Sequence, residues 1–261
     1  ATFALATWRA DSTLGRAAVL LVGAGDDSNC GAWTDGSHTC YSAGGAHVFQ
    51  YDTTTSLWQW NGVLKAPIVK EATTCGMGVA IAGDLVVVGC HGDRSSSTTV
   101  DVGEELEDST NPIGSAHAWR LSSGANASQS VREGYLKAFR ALSGQRFGTS
   151  VAVAANATRE VVAVGAPWAS TGAPYGNVTS SFAMPYDVDV TGGGMASGEG
   201  EVWTFMRDVS GGGGVGTWEA AHRVKPPVGM ENEMFGWALS AATTDRSEER
   251  RVGKECLRLC R

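Results

Sequence analysis

A short acidic string in the chain offers the residue types that bind calcium. Residues 187–192 read DVDVTG, so oxygen-bearing side chains alternate with apolar ones and a glycine follows, as at the start of a calcium loop. The bidentate acid of such a loop is missing at its twelfth position, where Gly198 stands. Asp187, Asp189 and Thr191 are therefore a candidate calcium site, with an ordinary polar turn as the alternative, and we expect no other cofactor.

The histidines form no catalytic or zinc-binding pattern. His47 and His117 stand at the same position of two similar strings, GAHVF and SAHAW, and Glu201 is aligned with them in a third string. A residue that recurs at one position of a repeat indicates packing, whereas zinc requires three or four converging ligands. The chain also lacks the GxSxG, HExxH, Walker and dinucleotide-binding motifs. We therefore expect that it is not an enzyme.

Four cysteines remain once the two in the C-terminal tail are set aside: Cys30, Cys40, Cys75 and Cys90. An even number favours disulfides and an oxidising compartment. Cys30 and Cys40 lie in one loop, whereas Cys75 and Cys90 lie in facing strands of one hairpin, where a bridge is geometrically plausible. The alternative is four buried free thiols.

Three Asn-x-Ser/Thr triplets begin at Asn126, Asn156 and Asn177. Such triplets are glycosylation sites in secreted proteins, although each is common by chance. Together with the cysteines they predict a secreted protein or the extracellular side of the cell surface.

The elements that position these residues follow a repeat. Residues 147–167 read FGTSVAVAANATREVVAVGAP, and residues 75–92 and 3–25 contain the same pair of short apolar runs ending in glycine-rich turns. Residues 235–240 begin a further copy. Repeats at this spacing are typical of propellers, solenoids and arrays.

Each copy contains four candidate strands. In the third copy these are Ser150–Ala155, Val161–Ala166, Glu201–Arg207 and Trp218–Lys225, which are short and rich in strand-forming residues. The other copies give Thr2–Ala6, Ala17–Ala24, Gly45–Tyr51, Leu57–Leu64, Ser115–Leu121 and Tyr135–Leu142 as further strands. Four antiparallel strands per repeat form a propeller blade. The sequence therefore predicts an all-β partial β-propeller of about three four-stranded antiparallel blades plus the start of a fourth.

The motifs Phe147-Gly148, Ser150-Val151-Ala152-Val153 and Gly165-Ala166-Pro167 resemble the FG-GAP repeat of integrin alpha-chain propellers. The second copy departs from the pattern with Cys75-Gly76 and Gly89-Cys90-His91, and the first lacks its opening Phe-Gly. The resemblance covers residues 1–244, with blades at about 1–67, 68–142 and 143–227 and a partial blade at 228–244. It implies protein or glycan ligands outside the cell.

Composition narrows the possible partners. The 261 residues carry a formal net charge of -7, which argues against binding to nucleic acid. No stretch of about 18 apolar residues occurs, so no membrane span is expected. The chain has no initiator Met and is interpreted as a fragment. Residues 246–256 resemble a translated sequencing adapter, so residues 245–261 are interpreted as a non-native tail, with a charged solvated helix as the alternative.

The long insertions predict where a ligand would bind. Asp26–Gly44, Asp93–Gly114 and Trp168–Ser197 all join strand 2 to strand 3, so they crowd onto one face of the predicted blades. Loops held by a rigid scaffold carry function, although unselected loop growth is the alternative. The aromatic side chains of this candidate ligand-binding face, which interfaces favour, are Trp33, Trp168, Tyr175 and Tyr186.

We therefore expect an extracellular binding or adhesion module that meets its ligand through these loops. Two alternatives remain open, namely a non-catalytic propeller domain of a larger secreted hydrolase and a structural spacer.

Overall fold

The chain is all-β. A computed structural model describes residues 2–6, 16–28, 40–101, 104, 106, 109–122, 127–140, 142–170, 198–210, 216–225 and 232–242. Its strands are β1 (Thr2–Ala6), β2 (Arg16–Gly23), β3 (Ala46–Asp52), β4 (Leu57–Leu64), β5 (Cys75–Ala82), β6 (Leu85–Cys90), β7 (Ser115–Arg120), β8 (Val131–Leu136), β9 (Ser150–Ala155), β10 (Arg159–Ala166), β11 (Glu201–Asp208) and β12 (Glu219–Val224). The described part contains one short 3-10 turn, Ala127–Gln129, and no helix long and apolar enough to cross a membrane.

The strands form three four-stranded antiparallel sheets in chain order, as predicted: sheet 1 (β1–β4), sheet 2 (β5–β8) and sheet 3 (β9–β12). Within each sheet every strand pairs with the next strand along the chain. The register between the third and fourth strands shifts at the same level in all three sheets, at His47/Phe49, Ala118/Trp119 and Thr204/Phe205. The sheets are therefore copies of one unit, down to the position of a β-bulge.

The predicted strand bounds hold closely except in β8. The apolar run predicts a strand over Tyr135–Leu142, but β8 ends at Leu136, which pairs with Ala116 at the start of β7. Because β7 begins at Ser115, residues after Lys137 have no residue of β7 opposite them. The start of the partner strand β7 therefore determines where β8 ends, and hydrophobicity alone does not reveal that position.

The apolar side chains pack in two layers between the sheets. One cluster joins sheets 1 and 2 and contains Val19, Leu21, Ala46, Val48, Leu64, Val79, Val86, Val88, Trp119 and Leu121. The other joins sheets 2 and 3 and contains Leu85, Val87, Ala116, Ala118, Leu136, Phe147, Val162, Val164, Trp203, Phe205 and Trp218. Each fully buried aliphatic side chain contributes about 1.5–3 kcal/mol, so these layers hold the sheets together.

Consecutive sheets are also joined by backbone. Gly44, Gly114 and Gly200 form parallel bridges to Cys75, Phe147 and Phe235, the residues at the start of the next copy. At the second of these junctions the Phe147 N–H donates to the Ile113 carbonyl oxygen at 2.8 Å. Gly114 has φ +94°, and a Cβ atom there would lie 1.9 Å from the Phe147 oxygen. The position therefore requires glycine on both conformational and steric grounds.

The glycines of the repeat motif meet across the same junctions. A Cβ atom on Gly89 would lie 1.9 Å from the oxygen of Gly148, and one on Gly165 would lie 2.1 Å from the oxygen of Gly236. The glycine at the second-last position of the second strand thus lies against the glycine that follows the opening residue of the next copy. The first strands are close as well, since β1 contacts β5 and β5 contacts β9.

The incomplete fourth copy begins in the same conformation as the complete ones. The residue just before the opening Cys75, Phe147 or Phe235 has a positive φ each time, at Thr74, Arg146 and Met234. The residue two places earlier also has a positive φ in each copy, at Ala72, Gly144 and Asn232. Five of these six residues are not glycine, so the surrounding junction must enforce the conformation.

At the opposite end of the strands, ion pairs join sheets 2 and 3. Glu160 accepts hydrogen bonds from Arg207 Nε at 2.6 Å and from Arg120 at 2.8 Å. Both arginines also reach Glu133, and Arg120 reaches Asp84. Glu133 is the residue that the β8 bulge leaves without a partner opposite it in β7. The bulge therefore turns this carboxylate toward the neighbouring sheet.

One disulfide replaces an apolar contact of the repeat. Cys75 and Cys90 are directly opposite in β5 and β6, are each 1% exposed, and are bonded to each other, as the sequence suggested. The corresponding residues of sheet 3 are Phe147 and Ala166, which are both fully buried. Sheet 2 thus carries a covalent link where sheet 3 carries a packed aromatic ring.

Gly114→Ala should destabilise the protein by about 3 kcal/mol or more, because about 1–2 kcal/mol for the positive φ adds to about 1–3 kcal/mol for overpacking. Gly83 is the matched control, since it has φ +61° and a Cβ atom added there would meet no other atom within 4 Å, so Gly83→Ala should cost only the conformational part. Urea unfolding of both variants measures the difference. Equal losses would contradict the close inter-sheet contact.

Cys75→Ala with Cys90→Ala should cost about 3 kcal/mol, the value expected when a loop with a separation of 15 residues is no longer closed. Cys75→Phe with Cys90→Ala should recover part of this loss, because it restores the residue pair of sheet 3. Thermal unfolding measures both, and Met77→Ala on the exposed side of β5 is the control. Alkylation of Cys75 and Cys90 without reductant would refute the disulfide.

Candidate functional site

The connections that follow the second strand of each sheet lie at one end of that sheet. Because strand direction alternates, the β2–β3, β6–β7 and β10–β11 connections share this end with the connections between consecutive sheets. The bridges at Gly44, Gly114 and Gly200 bring these ends together. We call the resulting surface the loop face.

Most side chains predicted for this face lie outside the described residues. These are Trp33, Tyr175, Tyr186, the candidate calcium ligands Asp187, Asp189 and Thr191, Cys30 and the sequon residue Asn177. The sequon residue Asn126, which belongs to a connection between third and fourth strands and is expected at the opposite end, also lies outside the described residues. Within the described ranges, no group of His, Cys, Asp and Glu is arranged to hold a metal ion. The calcium site therefore stays a prediction. Cys40 is buried and disulfide-bonded.

Asn156 lies at the end of the sheet opposite the loop face. It is exposed in the turn between β9 and β10, and its side-chain oxygen accepts hydrogen bonds from the N–H groups of Thr158 (2.9 Å) and Arg159 (2.8 Å). These bonds form an Asx turn, which explains the choice of asparagine without any modification. Glycosylation at this position stays a prediction.

Trp168 is the described member of the predicted aromatic set, and it belongs to a small cluster on the loop face. Its ring packs edge to face against Trp237, with ring centroids 4.9 Å apart. The Arg146 guanidinium lies over the Trp168 ring, 4.7 Å from its centroid. Trp237 is 53% exposed. The structure thus brings together one cation and two indoles from three separate segments of chain.

Behind the loop face, Asp93 lies in a buried cluster of polar side chains. Its carboxylate accepts a hydrogen bond from the Tyr135 hydroxyl at 2.5 Å and lies 3.7 Å from Lys137 Nζ. Lys137 is fully buried and also donates to the carbonyl oxygens of Ser95 (2.8 Å) and Gly114 (2.6 Å). These bonds fix the β6–β7 connection to the end of β8.

The same cluster surrounds a cavity of about 10 Å³ whose wall also includes Lys70, Glu104 and His117. That volume is near the smallest that holds a single water molecule. It leaves no room for an organic substrate. The cluster therefore acts as an internal brace for the loop face.

Burial and charge set the protonation of this cluster. Burial raises the pKa of Asp93, but Lys137, the Tyr135 hydroxyl and Lys70 outweigh it, so the pKa of Asp93 lies below its usual value. Burial, together with the positive charge of Arg132, lowers the pKa of His117 to about 3. At neutral pH the cluster thus contains an ionised aspartate and a neutral histidine.

The β6–β7 insertion is partly structural. The Asp101 N–H donates to the backbone carbonyl oxygen of Tyr135 at 2.9 Å, and the Tyr135 N–H donates to the Asp101 carboxylate at 2.6 Å. Lys70 Nζ holds the insertion from the other side through the carbonyl oxygens of Glu104 and Leu106. Part of this loop is therefore committed to packing against the sheet.

Sequence reasoning missed a recurrent lysine that follows the fourth strand. Lys65 donates to the Asp27 carboxylate (3.1 Å) and the Gly44 oxygen (2.9 Å), just as Lys137 lies beside Asp93 and donates to Gly114. The strings LKAP and LKAF carry the signal in the sequence. Each lysine ties the end of a sheet to the glycine junction that follows.

The alignment of Glu201 with His47 and His117 was wrong by two residues. The bridges of Gly44, Gly114 and Gly200 fix the register, and they place Trp203 at the position of the two histidines. Trp203 and His117 are both buried. The position therefore holds an aromatic ring in all three sheets, half-buried at His47 and buried at the other two, although the residue in the third sheet differs from the expected one.

No family model matches the chain, and no curated protein is similar to it.

Lowering the pH from 6.5 toward 3 should destabilise the protein partly through His117, because the unfolded chain binds a proton in this range and the folded histidine does not. His117→Phe keeps an aromatic ring and should reduce the slope of unfolding free energy against pH by up to about 1.4 kcal/mol per pH unit. Urea unfolding across this range measures it. The exposed His222→Phe is the control, and equal slopes in both variants would refute the assignment.

Proposed function

We propose that the chain is part of a β-propeller of FG-GAP type that serves as an extracellular binding or adhesion module. Three junctions of the same geometry, in which a glycine of one sheet bridges the opening residue of the next copy, support successive blades around one axis. The contacts of β1 with β5 and of β5 with β9 favour the same arrangement, with first strands innermost. A buried disulfide is compatible with secretion.

The cluster of Arg146, Trp168 and Trp237 is the observation that best supports a binding function. Tryptophan and arginine are the residue types most enriched at binding hot spots. Trp237 is largely exposed, and the buried brace around Asp93 holds the neighbouring loop in place. A rigid base with exposed aromatic side chains suits recognition of a protein or glycan ligand.

Removal of residues 169–197 and, separately, Trp237→Ala should abolish or strongly weaken binding to the ligand found in a panel of purified matrix proteins and oligosaccharides. Trp60→Ala is the control, because Trp60 is also more than half exposed but lies in β4 of sheet 1. Surface plasmon resonance gives the affinities.

Asn126→Gln and Asn156→Gln, made in a glycosylating host, should leave the affinity unchanged, because Asn156 lies at the opposite end of the sheets. Binding that survives the loop deletion but responds to either asparagine would place the site at that opposite end. The absence of binding to every member of the panel would favour a structural spacer.

A further inference from the structure

We propose that the cluster of Arg146, Trp168 and Trp237 is a site for an acidic oligosaccharide that carries carboxylate or sulfate groups. The inference rests on the proposed binding function of the loop face and specifies its ligand. Three features of this cluster support the inference: an arginine that pairs with no described acid, the indole beneath that arginine, and the exposed indole beside both.

Within the described part of the chain, Arg146 lacks the acidic partner that several other arginines have. Arg132, Arg207 and Arg223 lie 2.7 Å or less from a glutamate oxygen. Among the residues that the structure describes, Arg146 forms no ion pair, although the protein carries a formal net charge of -7. A guanidinium group binds a carboxylate or a sulfate through two parallel hydrogen bonds. The half-buried Arg146 therefore presents a guanidinium fork that pairs with no described carboxylate.

The indole beneath Arg146 fixes the position of that fork. Stacking on Trp168 at 4.7 Å restrains the guanidinium plane, which reduces the entropy lost when an anion binds. His91 adds no positive charge at neutral pH, because burial, with Arg146 itself as the second cause, lowers the pKa of His91 to about 4. The positive charge of the site is thus localised on Arg146.

The second indole supplies an apolar surface next to the cation. Trp237 is more than half exposed and meets Trp168 at an interplanar angle of 63°. A pyranose ring presents a face of C–H groups that packs on a flat aromatic ring, while its acidic substituent extends from the ring edge. One flat surface beside one fixed cation therefore matches a sugar ring with a pendant acid better than an acidic peptide, whose carboxylates lie on flexible chains.

The experiment compares three hexasaccharides by isothermal titration calorimetry: a sulfated one from heparin, a carboxylated one from hyaluronan and neutral maltohexaose. We expect at least one acidic sugar to bind more tightly than maltohexaose. Arg146→Gln should weaken that binding about tenfold or more, as loss of a charge-assisted hydrogen bond does. Trp237→Ala should weaken it too.

Two matched variants serve as controls. Arg159→Gln removes an exposed arginine at the other end of sheet 3, and Trp60→Ala removes an exposed tryptophan of sheet 1, so both should bind like the parent protein. Thermal unfolding of every variant tests whether the fold is retained. Arg146→Lys keeps the charge but loses the fork, so it should restore only part of the affinity.

The outcomes separate this inference from the proposed function. An Arg146→Gln variant that binds acidic sugars as the parent does would overturn the inference. So would preference for a glutamate-rich peptide over both acidic sugars. If a matrix protein or neutral sugar still binds and requires Trp237, the loop face remains a binding face and only the acidic ligand class is wrong. If no probe binds, both proposals fail.

Discussion

The close approach of glycine backbones between consecutive sheets is the constraint on which the rest of the structure depends. Gly89 lies against Gly148, and Gly165 against Gly236, with no room for a side chain between them. The first two strands of sheets 2 and 3 bury mainly alanine and valine, whereas Trp119, Trp203 and Trp218 lie in or next to third and fourth strands. The motif glycines therefore determine the shape of the whole core.

How much of this was predictable from sequence depends on the range of the interaction. The strands of each sheet and the bond between Cys75 and Cys90 follow from hairpins, in which the two strands are neighbours along the chain. The end of β8 was missed because it depends on where β7 begins. The packing of Trp168 against Trp237 joins residues from different copies, so no local pattern marks it. Short-range rules thus predict the sheets, whereas long-range contacts make the candidate site.

The two groups of charged residues near the loop face differ in how completely they are compensated. The carboxylate of Asp93 lies beside Lys137 and accepts a hydrogen bond from the Tyr135 hydroxyl, so this negative charge is compensated within the protein. At the opposite end of the strands, Glu160 is compensated in the same way because it lies between two arginines. Arg146 has an aromatic ring beneath it in place of a carboxylate. Compensated charges support the scaffold, whereas Arg146, which forms no ion pair with a described residue, is available for the proposed recognition of a ligand.

The two hydrogen bonds between Asp101 and Tyr135 cover part of the edge that β8 forms in sheet 2. An uncovered outermost strand accepts a further strand from another chain, either as a bound peptide or as the first step of aggregation. Here the backbone N–H and carbonyl oxygen of Tyr135 are already engaged by the insertion of the same sheet. Lengthening of this sheet by an incoming strand would require that insertion to detach first. The long loop after β6 thus protects this edge of sheet 2 from strand addition. That role would favour retention of the loop whether or not the loop contacts a ligand.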